Sequence, residues 1–282
     1  MALFNELIKK QYVGKIYLKY EFNVKEIPER IYLENERMGI VSCSVNGKKV
    51  EFTGQGGLDK SFITTDLAGL LKVGVNEVVY EIDFYQSEHV YFVLSDVTPE
   101  KESLKNCLSY NTEIESIYVR GDFGVYDDNL TQVDDLVMLT DGEHYIAKAR
   151  QTLTPENFTK QGYLFFAGKL VIQKEIVIEK GASLLEITGR RAVVEVCVDG
   201  KSVKTLMFEN AVDLKEFADG KAHTVRLTVY ASNRNVFGPH HFEQYEPLGV
   251  TPYSFDFIGG WKEDYTCDHY RESYSFVKFS IK

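Results

Sequence analysis

Two dipeptides constrain this chain more than any other feature. Asn46-Gly47 lies within Cys43-Ser-Val-Asn-Gly-Lys-Lys-Val50, and Asp199-Gly200 within Val196-Cys-Val-Asp-Gly-Lys-Ser-Val203. Asn-Gly and Asp-Gly between apolar runs are the strongest short hairpin signals, because a type I′ turn holds both central residues at positive φ. Each predicts an antiparallel strand pair, and the surroundings of the two turns repeat as well. Tyr17–Val24 and Ile31–Asn35 precede the first turn, while Leu170–Ile178 and Leu184–Ile187 precede the second. After the turns, Asp66-Leu67 and then Val78–Phe84 match Asp213-Leu214 and then Thr224–Tyr230. The turns lie 153 positions apart (46 to 199) and the Asp-Leu pairs 147 (66 to 213), so the chain reads as two copies of one unit.

Strands are also what the composition favours. The chain has 282 residues with 18 Tyr and 18 Phe, and branched and aromatic side chains fit a pleated, half-buried surface. Regular short strands with turn signals and no intervening long helices predict an all-β fold of two tandem jelly-roll sandwiches. The acidic, irregular run from Asp127 to Thr140 separates the copies, which places a first domain at 1–130 and a second at 131–282. Ser103–Tyr110 reads as a loop or short helix, and Ile114–Arg120 as a strand completing the first sandwich.

A net charge of −10 opposes attraction to phosphate backbones or anionic lipid, so nucleic acid and membrane are not expected partners. Met1–Lys10 carries no apolar signal core, and the expectation is a cytoplasmic protein. Cys43, Cys107, Cys197 and Cys267 lack zinc-ligand spacing and read as free thiols, with Cys43 and Cys197 as small buried hydrophobes in alternating runs.

No catalytic residue is expected. Asp134-Asp135, or Asp122 with Asp127, have the residue type of a glycosidase pair but read better as solvated loop carboxylates. The same oxygens suit a structural calcium ion, without EF-hand spacing. No Gly-x-Ser-x-Gly elbow is present, Gly54-Gln-Gly-Gly57 reads as a hairpin or loop, and His89, His144 and His223 read as surface or packed side chains. The segment Asn233-Arg-Asn-Val-Phe-Gly-Pro-His-His-Phe242 is richer. Asn233, Arg234, Asn235, His240 and His241 gather amides, a guanidinium and imidazoles on a predicted loop, the donor-rich chemistry that sugar hydroxyls require. Trp261 offers a flat face to a pyranose ring. The competing reading is a brace, in which these groups tie the loop to its own surroundings.

The strand, Val-Asn-Gly-Lys turn, Asp-Leu turn and Gly-x-Asn succession resembles the galactose-binding-like jelly roll of the β-galactosidase superfamily and of α-L-rhamnosidase-like hydrolases. Tyr118-Val-Arg-Gly-Asp-Phe-Gly-Val125, Gln161-Gly-Tyr-Leu-Phe-Phe-Ala-Gly168 and Asn233–His241 look like the C-terminal regions of such long bacterial enzymes. In those enzymes, as the resemblance implies, catalysis belongs to a separate barrel, which has no counterpart here. The implied function is a carbohydrate-binding or accessory module whose partners are carbohydrate and a catalytic domain of the same polypeptide. A fragment that only scaffolds a missing barrel, and a structural protein without sugar binding, remain the alternatives.

Overall fold

In the computed structural model, the described residues are 2–57, 59–95, 99–132, 137–140, 143–154, 157–181, 184–189, 193–231, 233–237, 240–242, 270–275 and 277–281. Strand dominates, and the longest helices have 8 residues. The architecture is all-β, with several antiparallel sheets arranged as sandwiches. Two compact units are present. The first runs to Phe123 and takes back Ile146–Lys148; the second holds Gly124–Tyr145 and continues from Ala149.

The first unit contains α1 (Ala2–Lys9), β1 (Gly14–Val24), β2 (Ile31–Asn35), β3 (Ile40–Val45), β4 (Lys48–Val50), β5 (Gly54–Gln55), β6 (Ile63–Asp66), β7 (Gly74–Phe84), α2 (Glu88–Leu94), α3 (Pro99–Asn106) and β8 (Tyr118–Gly121). One of its sheets has the order β4-β3-β7-β1, the other β5-β6-β2-β8. Along β7 every second residue, from Asn76 through Val78, Tyr80, Ile82 and Phe84, is buried, the period of two that one-sided packing demands. Leu18, Ile31, Leu33, Cys43 and Val45 meet Val78, Tyr80 and Ile82 in one core.

The chain continues through β9 (Phe123–Asp127), β10 (Thr131–Gln132), β11 (Val137–Leu139) and β12 (His144–Lys148). The second unit then adds β13 (Gly168–Val177), β14 (Leu184–Gly189), β15 (Val193–Val198), β16 (Lys201–Leu206), β17 (Ala211–Asp213), β18 (Ala222–Ala231), α4 (Arg234–Phe237), β19 (His240–Phe242), β20 (Tyr270–Ser275) and β21 (Val277–Ile281). Its sheets include β13-β18-β15-β16 and β17-β14-β21, and Val194, Val196, Val198, Leu206, Leu185 and Ile187 form its core.

The repeat extends to single hydrogen bonds. β13-β18-β15-β16 reproduces β1-β7-β3-β4, and β17-β14-β21 reproduces β6-β2-β8. Both hairpin turns adopt the expected positive φ, 50° and 78° at Asn46-Gly47 and 49° and 80° at Asp199-Gly200. Asn46 N–H donates to the Glu77 carbonyl at 2.9 Å, and Asp199 N–H to the Thr224 carbonyl at 2.9 Å. Each turn side chain returns the bond: Asn46 Oδ1 accepts from Glu77 N–H at 3.1 Å, and Asp199 Oδ1 from Thr224 N–H at 2.8 Å. Asp66 and Asp213 each accept from the N–H two residues on at 2.8 Å, an Asx-turn that ends β6 and β17 alike.

Three expectations need correction. Cys197 is not a buried hydrophobe: alternation turns Val194, Val196 and Val198 inward, and Cys197 stands half-buried opposite Arg226. Cys43 is 2% exposed, and burial pushes its thiol up to about 12. The strand expected over Ile114–Arg120 starts only at Tyr118, although Ile114 and Ile117 still pack on the core. The acidic run between the copies contains the short strands β10 and β11.

Candidate functional site

The side of the β5-β6-β2-β8 sheet that faces away from the core is built by strand alternation. Ile31 and Leu33 point inward, so Tyr32 and Glu34 point outward; Val119 packs inward, so Tyr118 and Arg120 point outward. Register then sets the neighbours. Tyr32 lies opposite Arg120 and Asp66, and Glu34 opposite Tyr118 and Thr64. On the inward side of the same strand, Asn35 accepts from the buried Tyr80 hydroxyl at 2.7 Å.

Glu34 has no solvent exposure although it faces away from the core, and the loop between β5 and β6 reaches it through Gly57. That segment is pinned by the Gly56 N–H to the Phe62 carbonyl at 2.7 Å, and by the Phe62 ring stacked on Tyr118 with centroids 5.6 Å apart. Glu34 Oε1 accepts from Gly57 N–H at 3.0 Å and from Arg120 Nε at 2.7 Å, with Arg120 Nη2 at 2.6 Å. Glycine at 57 leaves room for the guanidinium: a Cβ there would lie 3.0 Å from the guanidinium carbon, a tight contact. The guanidinium also sits 4.9 Å from the Tyr32 ring centroid, a cation–π contact.

This arrangement holds a guanidinium in one orientation with donors to spare. Arg120 has five N–H donors, and two of its nitrogens are engaged by Glu34, while its side chain keeps 40% exposure. Thr64 Oγ1, beside Glu34, is buried without a hydrogen-bond partner among the described residues. Planar N–H pairs, tyrosine rings and hydroxyls together match the hydroxyls and apolar faces of a sugar ring.

The residues expected from the sequence are placed as follows. Asn233 is exposed, and its carbonyl accepts from Val236 N–H at 3.1 Å; Arg234 and Asn235 open α4, with Asn235 8% exposed. His240 and His241 are on the strand β19, not a loop, opposite Glu272 and Arg271 of β20. Trp261 lies outside the described residues.

The carboxylates considered as an acid pair are engaged in structure. Asp122 accepts from Arg30 N–H at 3.0 Å and pairs with its guanidinium at 3.3 Å; the backbone bond leads in holding its carboxyl below the ordinary range. Asp127 accepts from Asn129 N–H at 2.6 Å and from the Thr140 hydroxyl, and lies 2.9 Å from His144 Nδ1. Asp134 and Asp135 lie outside the described residues. Among the described residues no three His, Cys, Asp or Glu side chains converge as cation ligands would. Two of the stretches that carried the resemblance meet: Val125 N–H donates to the Gly162 carbonyl at 3.0 Å, and Val125 bridges Tyr163.

The sequence reading passed over the Glu34–Arg120 face. A signal for it exists, since Glu34 and Arg120 are opposite charges at outward positions of two strands already recognised. Which strands become neighbours is a long-range fact that periodicity does not carry.

No family model matches the chain, and no curated protein does. Solved structures that align with it include a Streptomyces avermitilis α-L-rhamnosidase in complex with L-rhamnose, at 9% identity and a TM-score of 0.27, over 77% of this chain and 22% of that one. A β-D-mannosidase from Dictyoglomus thermophilum aligns at 16% identity and 0.24, over 81% and 27%. A Pleurotus ostreatus lectin aligns at 8% and 0.21, over 78% and 68%. The chain spans about a quarter of the length of the two hydrolases. Likeness at this level assigns neither a substrate nor a site residue to it.

Proposed function

We propose that this chain is a non-catalytic carbohydrate-binding accessory module, working beside a catalytic domain of the same polypeptide, with its sugar site on the outward face of β2, β6 and β8. The observation that carries the reading is Arg120, whose guanidinium is fixed by a fully buried carboxylate and a tyrosine ring while its side chain remains two-fifths exposed. A buried ion pair is weak evidence for stability, because desolvation offsets much of its attraction. A pair whose cationic side chain stays partly exposed beside the Tyr32 ring fits ligand binding better than core formation.

Binding on such an open face is weak. Each sugar–protein hydrogen bond replaces one to water and contributes about 0.5–1.5 kcal/mol net. The region Asn233–His241 with Trp261 is a separate candidate for the same class of ligand. A glycan array screened with the wild type, Arg120→Ala, and a His240→Ala/Trp261→Ala double variant tests both. Loss of a wild-type signal in Arg120→Ala alone supports the β2-β6-β8 face, loss in the double variant alone moves the site to the candidate set that includes His240 and Trp261, and no signal from the wild type rejects the module reading.

A further inference from the structure

We infer that the β2-β6-β8 face takes uncharged glycans and rejects uronate-bearing or sulfated ones, an inference that rests on the sugar-binding reading of that face. An exposed arginine alone is the usual receptor for an anion, through bidentate pairing with a carboxylate, sulfate or phosphate. Here that role is already filled from within. Glu34 Oε1 receives both Nε and Nη2, at 2.7 and 2.6 Å, so one edge of the fork is closed by a carboxylate with no solvent exposure.

The surrounding charge points the same way. Asp66, exposed and directly opposite Tyr32 in the ladder, adds a carboxylate to the face; its Oδ1 only caps the Ala68 N–H. Two residues before Tyr32, Arg30 is paired with Asp122. Arg120 and Arg30 thus stand beside three carboxylates, Glu34, Asp66 and Asp122. A uronate approaching the free N–H groups would gain one partly screened cation and meet the field of the carboxylate that already holds it. A hydroxyl pays no such repulsion, and a vicinal diol spans neighbouring N–H groups of one guanidinium.

β-1,4-mannohexaose and β-1,4-hexamannuronate share ring configuration and linkage and differ only at C6, so they serve as a matched probe pair beside an array of neutral, uronate and sulfated glycans. For array hits lost in Arg120→Ala, and for the matched pair by calorimetry on the full chain, the neutral glycan is expected to bind at least about tenfold more tightly, a difference of ~1.4 kcal/mol. Asp66→Asn, which keeps an Asx oxygen for the Ala68 N–H, is expected to narrow that ratio, and added salt to narrow it in the wild type. Glu34→Gln, checked for folding by circular dichroism, is expected to raise affinity for hexamannuronate. Arg120-dependent hits that are mainly uronates or sulfates would overturn the inference and leave the module reading standing. Absence of any Arg120-dependent hit would remove the site and the inference together.

Discussion

Truncating Arg120 and truncating Glu34 should have unequal costs, although both break the same ion pair. In Arg120→Met the stranded group is Glu34, which has no exposure, loses both guanidinium donors on Oε1 and retains the Gly57 N–H. An uncompensated buried charge costs about 3–5 kcal/mol, and the opening left by an arginine with 40% exposure lets some water reach the carboxylate, so ~3 kcal/mol is expected. In Glu34→Met the stranded group is a guanidinium that rehydrates by turning outward, and the loss falls to about 1–2 kcal/mol, mostly the unpaired Gly57 N–H. The double variant should match or improve on Glu34→Met, because no buried charge remains. Urea unfolding followed by far-ultraviolet circular dichroism, with hydrogen exchange at β2 and β8 amides to assign the transition to the first unit, measures all three. For a unit of this size ~3 kcal/mol lowers the melting temperature by roughly 10 °C. Equal losses for the two single variants, or less than about 1 kcal/mol for Arg120→Met, would refute the account of Glu34 as a carboxylate dependent on its partner.

Four further outcomes are expected. Tyr80→Phe leaves the buried Asn35 Oδ1 without its donor and should lower stability by about 1–3 kcal/mol in denaturant titration. Gly47→Ala and Gly200→Ala add a Cβ with nothing within 4 Å but at φ of 78° and 80°, so each should cost about 1–2 kcal/mol from strain alone, and the two losses should match in thermal melts. Cys107, exposed, should alkylate with iodoacetamide at neutral pH while Cys43, with its thiol pushed up to about 12, stays unlabelled in the native protein by peptide mass mapping. His223 lies between Asp199 at 2.7 Å and Asp219 at 3.0 Å, which raises its pKa, while its bonds to them hold Asp199 below the ordinary carboxylate range and Asp219 at about 2. The imidazolium contribution is complete below about pH 6.5 and fades as pH rises through the raised value; the carboxylate contributions are complete above about pH 4 and fade in stronger acid. The second unit should therefore be most resistant to melting in mild acid, and His223→Gln should flatten the profile between pH 6 and 9.

What the sequence made legible is what short-range backbone chemistry decides. Asn46-Gly47 and Asp199-Gly200 specify a turn geometry that few other dipeptides tolerate, so the two hairpins and the strands beside them follow locally. Ile31–Asn35 reads as a strand to the residue, because its alternation is bounded by Pro28 upstream and Gly39 downstream. The side chains that make the candidate face were visible only as strand residues. Glu34 and Arg120 are 86 positions apart, and their meeting depends on β8 returning to pair with β2 in one register; a slip of β8 by one residue would turn Arg120 inward and leave the pair on opposite faces of the sheet. Cys197 went astray for a related reason. An apolar run fixes that a strand exists, but which alternate set faces the core is decided by the partner sheet. His223 shows the limit from another side, since its two carboxylate partners are a turn residue of one hairpin and a loop residue four positions upstream, an assembly with no periodic signature.

The repeat itself separates what the shared frame requires from what each copy adds. In both units the turn residue binds the long strand by backbone and side chain alike, and in both an Asx-turn closes the short strand before it. These shared devices maintain the backbone. The ladder positions of Tyr32, Glu34 and Tyr118 in the first unit correspond to Leu184, Glu186 and Ser280 in the second, because Leu33 pairs with Thr65 and Val119 just as Leu185 pairs with Val212 and Ile281. Two tyrosines present in one copy and replaced in the other cannot be needed for the fold that both copies share. The same comparison at the hairpins sets the neutral amide pair Asn46 and Asn76, joined at 2.8 Å, against the charged Asp199–His223 contact. Each copy thus keeps the jelly-roll frame and spends its variable positions differently, the first on an aromatic and guanidinium face that suits a ligand, the second on a protonation-dependent clamp that suits stability.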